Sequence, residues 1–528
     1  MIKRTHIELF AGCGGLNLGL ETAGFGLYFA NEISPMAGET YAYNFLNENL
    51  ANLALENKVS EKVLWVNSDF ENESLKERLR ENPFEGSKKY SDLLDNISLE
   101  GKLVIGNIDK LLDYLIISKR YKEIKKLNID ILSGGPPCQS FSLAGKREKN
   151  NDKNSLPLSF AKFAGLTQPK VVLLENVKGI TSPFSEENQK YYAWLEVSKA
   201  FVLEGFYPVC MMINSKYFGV PQNRPRFILL AFRKDIFNKL LKRFKDTESI
   251  KIIENTNEFY KKVIENKNKL NEVTIADFKY FDIEKEPDLF NGLFLPKIET
   301  TENEFISVSD AISDLLNLEY PKSQYLKKVE SIFEFNGTLN QVQNFEARTH
   351  NNITEARFRF YQILEQLPLE YKRELMNLLY KREINCSVND LFTKIKDFKF
   401  LVPSKDKFKN KDCKLKSIND LTVLVQMLYT KKHSQRSLNK DKPAPAQLTV
   451  PDDICHYHFS APRVLTVREM ARIQSFPDWF EFRSKVTTGG KMRRFETPQY
   501  TQVGNAVPPL LGLHLGNFIK NLLDQIKE

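Results

Sequence analysis

Short apolar runs alternate with helical patterns in two parts of the chain, residues 1–45 and about 100–234. The runs are rich in β-branched, aliphatic and aromatic residues and are commonly followed by Gly, Pro or Asn, as buried strands are. They span residues 6–10, 27–30, 103–105, 129–132, 171–174 and 226–232. This rhythm predicts an α/β fold in which the runs form one largely parallel sheet with helices on both faces.

The α/β rhythm is absent from two other stretches. Residues of about 50–100 are charged and rich in Asn and Lys, which predicts a surface insertion. Residues 235–455 are rich in Lys, Asn and Glu with scattered Phe and Tyr, and they predict a separate domain. A helical pattern at 467–475 and an apolar helix at 508–526 predict that residues 456–528 return to the domain formed by residues 1–234.

Composition limits the location and the partner. Hydrophobic residues make up 42% of the 528 residues, and the apolar stretches are shorter than the roughly 18 residues that a membrane span needs. We therefore expect a cytoplasmic protein with no membrane association. The net charge of +9 suits a polyanionic partner but is weak evidence by itself. The six cysteines form no CxxC pair and predict reduced thiols.

A glycine loop follows the first predicted strand. Residues 10–15 read FAGCGG and precede a helix, a geometry that holds a nucleotide-like ligand close to the backbone. The loop is not a dinucleotide fingerprint, because Asn17 stands where the third glycine of GxGxxG would fall. Glu32, at the end of the next strand, is placed to accept hydrogen bonds from ribose hydroxyls. From these residues alone, ligand binding and ordinary turn chemistry are equal alternatives.

A second loop presents a single thiol. Residues 134–142 read GGPPCQSFS and follow the strand predicted at 129–132. Two glycines and two prolines give a rigid turn that projects Cys138 beyond the carboxyl end of a strand, where open α/β sheets bind ligands. A buried structural cysteine is the alternative, but such a loop is a poor place to bury an inert side chain.

These loops and four further motifs resemble, in the same order, those of the DNA cytosine C5 methyltransferase family. The resemblance implies a Rossmann-like S-adenosylmethionine-dependent methyltransferase sheet. It leaves residues of about 235–455 unmatched, where the family has its variable target-recognition domain, here expected to be a smaller domain of mixed structure. The matched residues are 10–15, 134–142, 175–177 (ENV), 222–226 (QNRPR), Arg463 with 468–477 (REMARIQSFP), and 502–509 (QVGNAVPP).

The resemblance also implies the cofactor and its site. Asn107 stands where the family commonly has an aspartate that accepts from the adenine amino group, and an amide oxygen can accept that bond without charge assistance. Asp109 is the alternative acceptor. The residues expected to bind S-adenosylmethionine are Phe10, Gly12, Gly14, Gly15, Glu32, Asn107, Asn505 and Ala506. We expect no metal, since the CHYH run at 455–458 lacks the distant partner that a zinc site needs.

The chemistry of the reaction agrees with these residues. C5 of cytosine is a weak nucleophile, so a thiolate must add at C6 to give an enamine-like carbon that takes a methyl group from a sulfonium. Cys138 is placed for that addition. The resemblance gives Glu175 the protonation or hydrogen bonding of N3, and it gives Arg226, with Arg224, the binding of the base carbonyl. A plain ion pair or surface charge is the alternative for these three residues.

The reaction also implies a partner and a conformational step. A cytosine inside a duplex cannot reach this thiol, so we expect double-stranded DNA with the target base flipped out of the helix. The pairs Thr338-Leu339 and Thr422-Val423 fit a short Thr-containing element beside that base, and residues 348–351 (RTHN) form a basic cluster. Ordinary loop structure is the alternative for each.

The biological setting follows from the resemblance alone. We expect a monomer that protects host DNA from a cognate restriction endonuclease. Two alternatives are an RNA cytosine C5 methyltransferase of the same fold and a DNA-binding relative that has lost catalysis. The long variable region favours the reading of duplex DNA, and the intact Cys138, Glu175 and Arg226 favour an active enzyme.

Overall fold

The computed structural model describes residues 4–94, 97–137, 156–186, 189–317, 321–335, 337, 341–381, 388–403, 410–447, 449 and 451–526. Its strands are β1 (Arg4–Leu9), β2 (Phe25–Glu32), β3 (Val63–Trp65), β4 (Lys102–Ile105), β5 (Ile131–Gly134), β6 (Val171–Val177), β7 (Phe184–Glu186), β8 (Gln189–Tyr191), β9 (Phe206–Asn214), β10 (Gln222–Asn223), β11 (Pro225–Arg233), β12 (Phe281–Asp282), β13 (Lys399–Pro403), β14 (Asn410–Lys414), β15 (Arg436–Ser437), β16 (Ala444–Pro445) and β17 (Ile454–Cys455).

The helices of the same residues lie before, between and after these strands. They are α1 (Gly15–Thr22), α2 (Pro35–Phe45), α3 (Leu50–Leu55), α4 (Leu75–Arg78), α5 (Ile108–Ile117), α6 (Tyr121–Lys126), α7 (Leu156–Thr167), α8 (Ala193–Leu203), α9 (Lys234–Arg243), α10 (Thr247–Glu265), α11 (Val308–Ile312), α12 (Gln324–Ile332), α13 (Asn352–Glu365), α14 (Leu369–Lys381), α15 (Val388–Ile395), α16 (Ile418–Leu428), α17 (Val467–Ile473), α18 (Gln499–Asn505) and α19 (Pro509–Gln525).

A central sheet organises the molecule, with the strand order β12-β9-β11-β6-β5-β1-β2-β4-β3. Strand β1 pairs parallel with both β2 and β5, and the chain moves outward from it in both directions. Strand β11 pairs antiparallel with β6 and β9. The order therefore reverses beside β1, and such a switch point is where open α/β sheets bind ligands.

Helices cover both faces of this sheet. The buried side chains of β11 show this, since they alternate between two hydrophobic clusters. Ile228 and Leu230 pack in the cluster that contains α1 and α19. Phe227 and Leu229 pack in the cluster that contains α7 and α8. The predicted α/β sheet with helices on both faces is confirmed.

The segment at 50–100 contributes an edge of the sheet, which differs from the predicted surface insertion. Strand β3 pairs parallel with β4, and Trp65 is only 1% exposed. The guanidinium of Arg78 lies 5.1 Å from the Trp65 ring and donates to Asp92. Three apolar residues among many charged ones are too short a run for a periodic pattern to reveal.

Residues 236–333 pack on the sheet, although the sequence predicts a separate domain from residue 235. Strand β12 pairs parallel with β9, while Phe237 and Phe259 are fully buried in the two clusters of the sheet. Leu326 of α12 belongs to the same core. The change of composition at residue 235 therefore does not coincide with a change of core.

A hydrophobic cluster distinct from the sheet begins at Ala356. Helices α13, α14, α15 and α16 and the hairpin β13–β14 build most of it, and Cys455 and Val464 complete it. This smaller unit combines helices with a β-hairpin.

The two ends of the described chain meet, because α19 packs along α1. A Cβ added at Gly19 would lie 2.4 Å from the backbone nitrogen of Leu513, so the glycine permits the close approach of the two helices. Among the residues that the structure describes, no helix has both the length and the apolar character to cross a membrane.

Candidate functional site

The residues proposed from the sequence gather at one edge of the sheet. Strands β1, β2, β4, β5 and β6 are mutually parallel, so their carboxyl ends share this edge. The glycine loop follows β1, Glu32 ends β2, Asn107 follows β4, and Glu175 lies near the end of β6. We call this the catalytic edge.

The glycine loop has the left-handed backbone that its composition suggested. Phe10, Gly12 and Gly14 have φ values of 54°, 56° and 91°. A Cβ at Gly14 would lie 2.2 Å from the Phe45 ring, and one at Gly15 would lie 2.3 Å from the carbonyl oxygen of Val507. At Gly12 no atom lies within 4 Å of an added Cβ, so the loop is packed on one side and open on the other.

Glu32 fixes the glycine loop against the end of β2. Its carboxylate accepts from the backbone N–H of Gly12 at 2.8 Å and from that of Ser34 at 2.9 Å. Burial raises the pKa of Glu32, and the backbone hydrogen bonds oppose this shift. The carboxylate is thus held against the backbone N–H of Gly12.

Asn107 caps the N-terminus of helix α5. Its side-chain oxygen accepts from the N–H of Asp109 at 2.7 Å, and its own N–H donates to the side-chain oxygen of Asn67 at 3.0 Å. Asp109, the alternative acceptor, accepts from the Ser159 hydroxyl at 2.6 Å. Both candidate adenine acceptors therefore already accept hydrogen bonds within the protein, and each carbonyl or carboxylate oxygen keeps a further lone pair.

Residues 502–509, which we call the C-terminal motif, pack against the glycine loop. Asn505, the last residue of α18, is exposed, and Ala506 is half-buried. The Cβ of Ala506 lies 3.4 Å from the position of a Cβ on Gly15. The structure therefore brings these two residues beside the glycine loop.

Arg224 and Arg226 have different surroundings. The Arg224 side chain, 1% exposed, donates to the carbonyl oxygens of Gly504 at 3.0 Å and Ala506 at 2.9 Å. Burial lowers its pKa well below the usual arginine value. These contacts tie the 222–226 segment to the C-terminal motif.

Arg226 instead pairs with Glu175. Its Nε lies 2.7 Å from Oε1 of the carboxylate, and both side chains are about nine-tenths buried. Burial lowers the pKa of Arg226, whereas the charge of Glu175 opposes the shift. A Cβ on Gly135 would lie 3.0 Å from the other carboxylate oxygen, so the pair adjoins the start of the loop that contains Cys138.

Cys138 lies outside the described residues, but the entrance to its loop is fixed. Gly134 ends β5, where a Cβ would meet the carbonyl oxygen of Leu9 at 2.3 Å. The side-chain amide of Asn176 donates to the Pro136 carbonyl at 2.9 Å. The chain therefore leaves β5 next to Glu175.

Three other cysteines have inert surroundings. Cys13, Cys210 and Cys455 are buried, and burial raises the pKa of each thiol, to about 12 for Cys210 and Cys455. A protonated thiol is a poor nucleophile.

Two asparagines were missed by the sequence analysis. Asn176 is next to Glu175 within the matched motif, so its position was a usable signal. Asn67 supports Asn107 from the 50–100 segment, and no spacing or composition marks it. Both act through backbone groups of the site.

Two of the three candidate DNA-contacting segments make contacts within the protein. Thr422 lies within α16 and donates to the Ile418 carbonyl, and Thr338-Leu339 lies outside the described residues. In the basic cluster, Arg348 pairs with Asp452 at 2.9 Å and Asn351 caps α13.

The 455–458 run shows no sign of a zinc centre in the part of the chain that the structure describes, since no group of three or more potential ligands converges there. His456 is buried, which lowers its pKa to about 4, and it lies 3.6 Å from Glu469.

Known proteins resemble this chain along most of its length. A family model described as C-5 cytosine-specific DNA methylase matches residues 4–66 and 88–521. The Type II methyltransferase M.DdeI of Desulfomicrobium norvegicum is 24% identical over 521 residues, covering 98% of this chain and 89% of the relative. The Type II methyltransferase M1.HphI of Haemophilus parahaemolyticus is 25% identical over 511 residues, covering 96% and 84%. The crystal structure of S. pombe Dnmt2 methyltransferase aligns with a TM-score of 0.40 at 14% identity, covering 99% of this chain and 98% of that chain.

The matched residues span nearly the whole chain, from the first strand of the sheet to the helix that packs against α1. The chain therefore belongs to the C-5 cytosine-specific DNA methylase family.

Proposed function

We propose that this DNA cytosine methyltransferase transfers a methyl group from S-adenosylmethionine to C5 of a cytosine flipped out of duplex DNA, through a covalent Cys138 adduct. The observation that carries the proposal is the 2.7 Å pair between Glu175 and Arg226. The pair adjoins Gly135, three residues before Cys138, and so brings a carboxyl group and a guanidinium to the start of the thiol loop.

The catalytic edge fits S-adenosylmethionine. No atom lies within 4 Å of a Cβ added at Gly12, which leaves room next to the backbone. The Glu32 carboxylate, held by the Gly12 N–H, keeps lone pairs available for ribose hydroxyls. Phe10, Gly14, Gly15, Asn107, Asn505 and Ala506 surround the same space in our proposal. When bound, the cofactor supplies the methyl group.

Each bond that forms at C5 and C6 of the cytosine is matched by a bond that breaks. The Cys138 thiolate forms a bond to C6, and the electron pair of the C5–C6 double bond becomes available at C5. C5 then forms its bond to the methyl group, while the bond from that methyl group to the sulfonium sulfur breaks and its electron pair stays on sulfur, so that a neutral thioether leaves. Loss of the C5 proton to solvent and departure of the thiolate from C6 restore the double bond and leave 5-methylcytosine.

Glu175 and Arg226 assist the addition of the thiolate. A carboxyl group that protonates or hydrogen bonds N3 withdraws electrons from C6 and so favours attack. Arg226 orients this carboxyl group, and its remaining N–H groups can hold the base carbonyl. Arg224, which bonds to the backbone of Gly504 and Ala506, is a positioning residue in this proposal.

Duplex DNA supplies the cytosine. Target recognition is carried by the unit built around the hydrophobic cluster that begins at Ala356, which we call the second core. The catalytic groups lie at the edge of the sheet, and a base within a helix cannot reach them unless it is flipped out. Sequence must be read at base edges in the grooves, a task for a unit outside the catalytic edge.

Duplex DNA with 5-fluorocytosine at the methylated position tests this mechanism. Thiolate addition and methyl transfer both proceed, but fluorine cannot leave as a cation, so the adduct accumulates when S-adenosylmethionine is present. A denaturing gel is expected to show a slower protein band, and peptide mass mapping is expected to place the adduct on Cys138.

Matched variants give the test its controls. Cys138→Ser should abolish the adduct while most DNA affinity remains, because phosphate contacts supply much of the binding energy. Cys13→Ser and Cys210→Ser should keep it. Trapping that survives Cys138→Ser would overturn the mechanism, and a single-stranded RNA probe that is methylated in preference to duplex DNA would overturn the substrate.

We further propose that the enzyme acts as a monomer and protects host DNA from a cognate restriction endonuclease. The support is that the relatives M.DdeI and M1.HphI are named Type II methyltransferases. Bisulfite sequencing of plasmid from an expressing host would identify the methylated site. An endonuclease of the source cell that cleaves unmodified plasmid but spares this plasmid is the expected result.

A further inference from the structure

An exposed basic segment precedes helix α18. Residues 489–494 read GGKMRR, and Lys491, Arg493 and Arg494 are all exposed. None of the three makes an ion pair with a carboxylate among the described residues. Met492, between them, is 46% exposed. Three cations within four residues thus face solvent without a neutralising partner.

Residues on either side of 489–494, which we call the base of the segment, are joined to each other by hydrogen bonds and an ion pair. Lys485 and the Thr488 hydroxyl both bond to the carboxylate of Glu496, and the N–H of Gln499 donates to the Lys485 carbonyl at 3.0 Å. Arg493 donates from Nε to the Thr488 carbonyl at 3.3 Å. The Glu496 carboxylate is therefore already bonded to Lys485 and Thr488. The charged groups of residues 491–494 remain exposed to solvent.

The base adjoins the catalytic edge. The Gln502 amide donates to the carbonyl oxygens of Thr497 and Met36, at 3.0 and 3.2 Å. Met36 lies in the first turn of α2, just after Glu32 and Ser34. The segment therefore projects from the side of the molecule on which the proposed cofactor and cytosine sites lie.

We propose that Lys491, Arg493 and Arg494 bind backbone phosphates of the duplex whose cytosine enters the catalytic edge. The inference rests on the proposed function and adds to it a phosphate-binding surface within the catalytic unit, apart from the second core. Exposed, unpaired cations match the regular negative charge of duplex DNA, and each phosphate contact releases condensed counterions. The contacts orient the duplex and carry no sequence information.

The test compares two triple variants. K491A/R493A/R494A removes the proposed contacts, and K122A/K125A/K126A removes three exposed lysines of α6, which precedes β5 and so lies at the opposite edge of the sheet. Fluorescence anisotropy with a labelled duplex of arbitrary sequence measures affinity across a range of salt concentrations. Circular dichroism checks that both variants are folded.

The slope of log affinity against log salt is expected to fall by about 1 to 3 in the segment variant, and affinity by about tenfold or more. The α6 variant is expected to match the parent. The charge reversal R494E should weaken binding further than R494A. An unchanged slope in K491A/R493A/R494A overturns the inference.

Methyl transfer separates this failure from failure of the proposed function. A parent protein that methylates duplex DNA while its segment variant keeps the parental salt slope refutes only the phosphate surface. A parent that binds duplex DNA but transfers no methyl group from labelled S-adenosylmethionine to unmethylated genomic DNA of mixed sequence refutes the proposed function, whatever the segment does.

Discussion

At the scale of single residues, the two arginines of the 222–226 motif contact different parts of the site. Arg224 and Arg226 stand two positions apart, yet Arg224 donates to carbonyl groups of the C-terminal motif and Arg226 pairs with Glu175. The spacing is the reason, because Arg224 precedes β11 whereas Arg226 lies within it, in register with Val177. The two guanidinium groups therefore act on different halves of the site.

This difference predicts separable kinetic effects. Arg224→Ala should weaken S-adenosylmethionine binding about tenfold, because Gly504 and Ala506 lose the charged donor that positions their backbone. Arg226→Ala should lower kcat by about 10² to 10³ with little change in cofactor affinity. Calorimetry and steady-state kinetics measure the two quantities. Equal losses of cofactor affinity in both variants would contradict the division.

The sequence pointed to most residues of the candidate site, and the contacts that it did not predict have physical reasons. Glycine and proline spacing located both loops, because backbone conformation there depends on those residue types. The separate environments of Arg224 and Arg226 were not visible, since Arg224 contacts residues near position 505 and Arg226 contacts Glu175. The support that Asn67 gives to Asn107 likewise depends on folding across 40 residues of sequence.

At the scale of elements, the close packing of α1 on α19 joins the two ends of the chain. Gly19→Ala would place a Cβ 2.4 Å from the Leu513 nitrogen and 2.5 Å from the Pro509 carbonyl oxygen. We expect a loss of about 1 to 3 kcal/mol in the free energy of unfolding, because backbone atoms must move apart.

Urea unfolding measures this loss, and Gly489→Ala is the matched control. No atom lies within 4 Å of a Cβ added at Gly489, and its φ of −131° suits any residue. The control should stay within about 0.5 kcal/mol of the parent. A Gly19 variant as stable as the control would show that the helices can separate at no cost.

The strands show where periodicity succeeds and where it fails. Six predicted runs all became strands of the central sheet, since each contains enough apolar residues to mark a buried strand. Strand β9 was missed although every residue in it is buried, because Pro208 argues against an interior strand. Strands β3 and β12, with three and two residues, are set by pairing with their neighbours.

At the scale of the whole molecule, the change in composition and the change in hydrophobic core occur at different positions. The composition changes at residue 235, whereas the separate core begins at Ala356. The sequence turns polar at residue 235, yet Phe237, Phe259 and Leu326 are buried with the sheet. Arg472 of α17 bonds to Asp314 at 2.6 Å and thereby joins this segment to the helix of the 468–477 motif. A polar surface can cover residues that bury few but large apolar side chains, so composition alone cannot place the boundary.

The extent of the second core, which begins at Ala356, predicts which segment transfers sequence specificity. We expect residues 351–428, placed in a family member whose recognised sequence is known, to give a folded chimera that methylates the site of this chain. The segment begins at Asn351, which caps α13, and ends with α16, so it carries most of the second core. Exchange of 235–455 should instead give an unstable protein, because it replaces residues that pack on the sheet.

Bisulfite sequencing and thermal unfolding decide between the two exchanges. The smaller chimera must re-form contacts with the host equivalents of Cys455 and Val464, so its unfolding midpoint is expected slightly below that of the host. The larger chimera should unfold at a clearly lower temperature or aggregate. If the smaller chimera folds and methylates DNA but keeps the site of its host, the residues that read sequence lie outside 351–428. A larger chimera that is as stable as the host would show that residues 236–333 can be exchanged freely against the sheet.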